Sequence, residues 1–520
     1  MIGASAVIQR DSGPNGQVLF WRTRFASIPI HSLQTMDHFD VLIVGAGLSG
    51  IGAACHLQSK CPGKRFAILE SRAALGGTWD LFRYPGIRSD SDMYTLGFSF
   101  KPWEHAKAIA DGPSILNYLQ ETAKENGIEK NIRYGHAVKV ASWDSKSARW
   151  TVTAETGEEK TPVQISCNFL FMCSGYYSYA KGFTPEFEGM ALFGGQLVHP
   201  QQWSDAVDYS GKRVLVIGSG ATAVTLIPEL AKKATHVTML QRSPTYMVAR
   251  PSEDAWANRL RRWLPSRLAY ALTRWKRVLL GMYVFRLCRT DPAKMKRLLL
   301  GGVRMALGPD YDVKTHFTPR YNPWDQRLCL VPDGDFFDAV KSGRAAIVTD
   351  QIARFNETGV VLQSGRQLDA DLIVTATGLN LQVLGGLQLT VDGKVQDMAK
   401  TMNYKGLMYS GIPNLASSFG YTNASWTLKC DLTCEFVCRL LNHMQKKGIA
   451  YAVPRNNDAS VAEQPWVDFS SSYFARSMHL FPKQGSKAPW RLYQNYPKDI
   501  LLLRFGKVDD GVLQFGHARA

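Results

Sequence analysis

Asp40-Val41-Leu42-Ile43-Val44-Gly45-Ala46-Gly47-Leu48-Ser49-Gly50 is the stretch on which the reading of this chain turns. An apolar run breaks into a glycine turn and then into the helix-like run Ile51–Gln58, which predicts strand, tight turn and helix N-terminus. Gly45 allows the turn, Gly47 lets backbone approach a pyrophosphate, and Gly50 lets helix and strand pack closely. Free N–H groups and the helix dipole then hold phosphate. The next apolar run, Phe66-Ala67-Ile68-Leu69, ends in Glu70, and an acid at that distance suits a ribose diol. Strand, turn, helix and acid together predict a dinucleotide site.

A second signature lies in mid-chain. Val214–Ile217 is an apolar run, and Gly218-Ser219-Gly220-Ala221-Thr222-Ala223 is its turn. The following strand, His236–Leu240, ends in Gln241-Arg242-Ser243, with arginine near the place of the acid. An acid would repel a 2′-phosphate, whereas Arg242 can pair with it bidentately. The pair of signatures therefore predicts FAD at the first turn and NADPH at the second, with Gly218, Gly220, Thr222 and Arg242 serving the latter. The apolar runs Phe169–Gly175 and Leu372–Gly378 each end on glycine and suit the return crossings of such a protein.

The fold class expected is α/β, with two Rossmann-like dinucleotide-binding domains and a helical insertion. The expected division is an extension over 1–36, an FAD domain of 37–178 plus 383–520, an NADP domain of 179–250 plus 331–382, and a basic insertion over 251–330. At 520 residues more than one domain is the expectation. A formal charge of +17 raises the question of nucleic acid, but thirteen Lys or Arg against the single acid Asp291 between Arg259 and Arg304 supply +12 of it. Charge so local argues against a nucleic-acid partner. It leaves the insertion as a solvated basic face over a packed helix, or as a contact for an anionic membrane surface or an acidic partner. No apolar run is long enough to span a membrane, and a cytoplasmic location is expected. The nine cysteines form no CxxC, and Cys430, Cys434 and Cys438 mark one buried helix stripe. Residues 1–35 read as an extension upstream of a natural beginning at Met36, the alternative being a transit peptide.

Between the two signatures, Phe193-Gly194-Gly195-Gln196-Leu197-Val198-His199-Pro200-Gln201-Gln202-Trp203 fits FxGxxxHxxxW. This motif resembles that of the Baeyer–Villiger flavin monooxygenases, with Ser204 standing where the family has Pro or Asp. Gly76–Phe98, Tyr321–Pro332 and Gly420–Lys429 also resemble the ethionamide-activating branch of that family. The resemblance implies a monooxygenase using FAD, NADPH and O₂. Such an enzyme inserts oxygen beside a ketone to give an ester and also oxygenates thioethers or thioamides. The alternatives are a flavin monooxygenase confined to nitrogen or sulfur, or an FAD/NADPH reductase. A disulfide reductase would need a redox cysteine pair.

By motif position the resemblance implies catalytic roles for Asp90 and Arg327, with Arg88 the second candidate for the arginine. Relatives place theirs in a motif that aligns near Ser342. It further implies FAD contacts from Gly77, Thr78, Trp79, Asp90 and Val138, and a domain-coupling role for Phe193, Gly195, His199 and Trp203. Trp79 and Trp426 are candidates for the substrate side of the flavin. The glycine-rich stretch from Gly76 to Asp90 is expected to be a long structured loop.

Overall fold

Two sheets, one mixed and one parallel, each built on one of the glycine turns, organise the chain. The computed structural model describes residues 36–467 and 471–518. The extension expected before Met36 lies outside the described residues. Residues 37–520 form one compact unit.

The first sheet centres on His38–Val44, flanked in parallel by Phe66–Leu69 and by Thr161–Met172. In register, Val41 stands between Phe66 and Phe169. All four of Val41–Val44 are buried, as a strand covered on both faces requires. Beyond Thr161–Met172 the sheet turns antiparallel through Arg149–Thr156 and His136–Asp144. The strand containing Val138 is nine residues long. Gln388–Val391 and Leu415–Ser417, more than 200 residues further on, also join this sheet.

The second sheet is all parallel, in the order Ala345–Thr349, His236–Gln241, Arg213–Ile217, Leu372–Thr375 and Gln196–Val198. The strand Gln196–Val198 lies inside the FxGxxxHxxxW motif, so that motif is the edge of this sheet and its exit.

Helix Leu48–Lys60 packs on Trp426–Lys447, which is buried over most of its length. Cys430, Cys434 and Cys438 lie along that helix, all buried. Its buried charges are each paired: Lys429 with Asp499 at 2.9 Å, Asp431 with His56 at 3.3 Å, and Glu435 with Arg504 at 2.6 Å. The basic segment leaves at Met247–Arg250 and returns at Cys329–Pro332, two strands that pair in parallel. Between them run helices Ala255–Trp263, Ser266–Thr290, Pro292–Leu307 and Val313–Phe317. A solvated basic face does not account for the whole segment. Arg274 is buried, donating to the carbonyls of Tyr94 and Gly97 at 3.0 and 2.8 Å.

Candidate active site

A cavity of about 590 Å³ runs between the two glycine turns, and its walls hold most of the residues singled out from the sequence. Gly45, Gly47 and Glu70 of the first turn line it, as do Gly77, Thr78, Trp79, Asp90, Val138, Tyr176, Arg327 and Trp426, and Thr222 enters from the second turn. Trp426 Nε1 donates to Ser49 Oγ at 2.9 Å, beside the first turn.

The first turn is shaped by backbone contact. Gly45 has φ +103°, and a Cβ there would lie 2.6 Å from the carbonyl oxygen of Cys173. A Cβ on Gly50 would strike the carbonyl of Gly45. Gly47 caps helix Leu48–Lys60 with no side chain bonded to the first N–H groups, so they stay open to a phosphate. Glu70 is buried; its Oε2 accepts the Ala46 N–H at 2.7 Å and its Oε1 the Arg72 N–H at 2.9 Å. Oε1 also accepts the Ser71 hydroxyl at 3.3 Å, so it is Oε2 that keeps a lone pair for a ribose hydroxyl. The described residues thus fit an adenine dinucleotide without rearrangement of the turn.

The second turn repeats this geometry. Gly218 has φ +134°, and its missing Cβ makes room for the Ala376 carbonyl. Gly220 caps helix Ala221–Leu230 without a side-chain bond, and a Cβ on Gly220 would meet open space. Ala221, Thr222 and Thr225 reach the cavity, whereas Gly218, Gly220 and Arg242 are not on its wall. Arg242 is exposed just beyond the strand His236–Gln241, at the mouth of that turn.

The stretch Gly76–Asp90 is more regular than a loop. Thr78–Leu81 forms one helical turn, entered through Gly77 at φ +57°. A side chain at Gly77 would come within 2.9 Å of the Gly47 Cα, so two glycines let this turn close over the first motif. Buried Asp80 anchors it, taking Arg83 Nη2 at 3.1 Å and the Arg72 guanidinium on its other oxygen. Further along, Gly86, φ +74°, abuts Glu229 of the second turn's helix. Tyr84 lines the cavity together with Thr222, and burial pushes its pKa up to about 12. One loop therefore touches both dinucleotide turns.

Arg327 Nη1 stands 3.0 Å from Asp90 Oδ2. The Asp90 charge, against the cost of burial, holds this guanidinium protonated well above the ordinary arginine range. Tyr176, Tyr473, Phe419 and Trp426 surround it as an aromatic wall. Tyr176 stacks on Trp426 at 5.0 Å and shares a hydrogen bond with Tyr177 at 2.7 Å. Burial raises the pKa of both phenols, keeping them neutral. The turn carrying Arg327 includes Trp324 at φ +70°, a conformation non-glycine residues rarely adopt. Arg88 also lines the cavity, but its guanidinium is engaged with Asp335, at the start of helix Asp335–Lys341. It ties the Gly76–Asp90 stretch to the second sheet's half.

The FxGxxxHxxxW residues lie outside the cavity wall. His199 is buried; its Nδ1 accepts the Gln201 N–H at 3.1 Å, so Nε2 carries the proton and donates to the Gly378 carbonyl at 3.0 Å. That bond joins the two strand exits of the second sheet. Gly195 leaves room for the Asp371 carbonyl, 2.6 Å from where its Cβ would be, and Phe193 packs over the same spot. Trp203 is buried against Tyr209 in the core of this half.

Comparison with known proteins accords with this arrangement. A flavin-binding monooxygenase-like family model matches residues 93–278, and an NAD(P)-binding Rossmann-like domain matches 43–112. The FAD-containing monooxygenase EthA of Mycolicibacterium smegmatis is 54% identical over 93% of this chain and 98% of its own length. The enzyme of the same name in Mycobacterium tuberculosis is also 54% identical, over 92% and 98% respectively. The chain belongs to the FAD-containing monooxygenase family. A steroid monooxygenase solved with NADP has the same fold, with a TM-score of 0.73 at 22% identity over 92% of this chain and all of that one.

Sequence reasoning passed over several side chains of this monooxygenase. Tyr176 and Tyr177 directly follow the strand-then-glycine end at Gly175, which is where a ligand-facing pair would be sought. Tyr473 and Phe419 come from distant segments and carry no local signal.

Proposed function

We propose that this monooxygenase inserts one oxygen atom beside the carbonyl of an apolar ketone, giving an ester. Gly45, Gly47, Gly50, Glu70, Gly77, Thr78, Trp79 and Val138 hold FAD. Gly218, Gly220, Thr222 and Arg242 hold NADPH. Bound FAD, reduced by NADPH, supplies activation of O₂, one atom of which goes to the substrate and the other to water. The reading is carried by one observation: a guanidinium held 3.0 Å from Asp90 among aromatic rings, on the wall of a cavity that the first dinucleotide turn also lines.

The protein's own residues do the following. Arg327 places N–H donors where negative charge develops on a ketone oxygen under attack, a role that works best in a dry, preorganised site. Asp90 orients Arg327 and keeps it charged. Tyr176, Tyr473, Phe419 and Trp426 exclude water and give an apolar substrate its contact surface. His199, Gly195, Phe193 and Trp203 fix the strand exits joining the two halves, divided as 37–178 plus 383–520 and 179–250 plus 331–382. A cation that stabilises developing negative charge favours ketones over sulfur, since oxygen transfer to a thioether or thioamide builds no such charge on the substrate. The protein works away from the membrane interior, for no helix among the described residues is long and apolar enough to cross a bilayer.

The test is product stoichiometry. Purified holoenzyme with NADPH, air and a series of apolar ketones should form one ester per NADPH. Consumption of NADPH with only hydrogen peroxide across the series, alongside clean conversion of sulfides, would overturn the ketone reading.

A further inference from the structure

We propose that the outward face of helix Ser266–Thr290 docks on an anionic lipid bilayer. This helix is covered on one side, where Ala269, Tyr270, Thr273, Arg274 and Val278 are buried. Its opposite side carries Leu268, Leu272, Trp275, Leu279 and Tyr283, each between 43 and 60% exposed. Their spacing follows the helical repeat, so the five side chains form one continuous stripe about 22 Å long. The outward face of a water-bathed helix ordinarily carries polar residues. Here it carries large apolar and aromatic ones, a contiguous patch of the sort that marks an interaction surface. The patch continues past this helix. Trp275 meets the Tyr496 ring at 5.8 Å, at the head of a segment whose Leu501 and Phe505 are also exposed. Trp263, at the end of the preceding helix, is 81% exposed.

Charge decides among the occupants such a face could take. Arg259, Arg262, Arg267, Arg286, Lys294 and Arg297 are all exposed and have no acidic partner among the described residues. A second copy of the chain, docked by the same face, would bring these exposed cations against their like. A nucleic acid would use the cations and leave the stripe in water. An anionic bilayer uses both. Leu, Trp and Tyr side chains enter the headgroup–acyl boundary, where aromatic residues are favoured, while arginines and lysines reach the phosphates. The inner stripe supplies most of the helix's packing, so the exposed leucines of the outer one can be changed at small cost to the fold.

The test is co-sedimentation of the full-length holoenzyme with vesicles of phosphatidylcholine, pure or mixed with phosphatidylglycerol. Binding to the mixed vesicles is expected at low salt, falling as salt rises, with little binding to the pure ones. Arg267→Gln and Arg286→Gln should each weaken it about fivefold. The triple variant L268S/L272S/L279S should weaken it at least about tenfold while its flavin spectrum and its NADPH oxidation without vesicles stay as in the parent. In the unaltered protein, brominated anionic lipid should quench tryptophan emission. Equal binding by parent and triple variant overturns the proposal, as does the absence of quenching. Dimerisation that the triple variant abolishes, without vesicle binding, overturns it in favour of a second copy.

Discussion

The pair formed by Arg327 and Asp90 makes a prediction with a definite hierarchy. Consider Arg327→Ala, Asp90→Ala and the double variant. On the proposed function Arg327 is the group that meets developing charge, and deleting one such preorganised donor costs about 10²–10³-fold in rate. Asp90 acts through Arg327, to which it is bound at 3.0 Å. The two side chains keep 36% and 32% of their surface accessible, so solvent screens the pair. A charge-assisted bond in that setting has a net worth of about 1–2 kcal/mol, roughly 5–30-fold. Product formation should therefore fall by that smaller factor in Asp90→Ala and by the larger one in Arg327→Ala. The double variant should match Arg327→Ala to within about twofold, since an aspartate with no arginine to orient has nothing left to contribute. The assay is ester formation at saturating NADPH with hydrogen peroxide followed in parallel. NADPH oxidation should persist in all three variants, with electrons diverted to peroxide. Additive losses, or a larger loss from Asp90→Ala than from Arg327→Ala, would refute the positioning argument.

Three further outcomes follow from the geometry. Gly45→Ala places a methyl 2.6 Å from the Cys173 carbonyl at a φ of +103°; it should destabilise the protein by about 2–4 kcal/mol and lower the flavin retained per chain, and unchanged thermal unfolding with full flavin content would sink the fit argued for the first turn. Arg242→Ala should raise the KM for NADPH by about 10–100-fold and leave NADH kinetics as they were; an equal change for both nucleotides would remove Arg242 from the 2′-phosphate. Burial lowers the pKa of His199, so below about pH 6.5 the unfolded chain takes up a proton that the folded one refuses. Stability is therefore greatest above that pH and is lost as pH falls. His199→Gln keeps a donor for the Gly378 carbonyl but does not titrate, so urea unfolding between about pH 7.5 and 5.5 should show a flatter profile; an identical slope would mean that His199 takes no part.

What could be read before the structure follows from how local each requirement is. Gly45, Gly47, Gly50 and Glu70 are legible because a phosphate-holding turn fixes its residue types within a few positions, and Gly218 and Gly220 repeat the logic. Arg327 was found by similarity, and no spacing rule marks it. Arg88, the second candidate by motif position, bonds to Asp335, 247 residues away, and no local pattern marks that partner. The aromatic wall was hidden for the same reason, since Tyr176, Phe419 and Tyr473 meet only through tertiary packing. The helical turn Thr78–Leu81 was missed because paired glycines read as loop, whereas Gly77 in fact serves as its entry. Buried Arg274 was missed because charge counting treats a basic segment as uniformly solvated, yet one cation there is spent on the carbonyls around helix Met93–Leu96.

The most direct test of the central claim is the fate of isotopically labelled dioxygen. Purified holoenzyme, NADPH, an apolar ketone and ¹⁸O₂ should give an ester bearing a single labelled oxygen, in amounts matching the NADPH consumed. Unlabelled product, or label recovered only in hydrogen peroxide, would contradict a monooxygenase built on the Arg327 wall of this cavity.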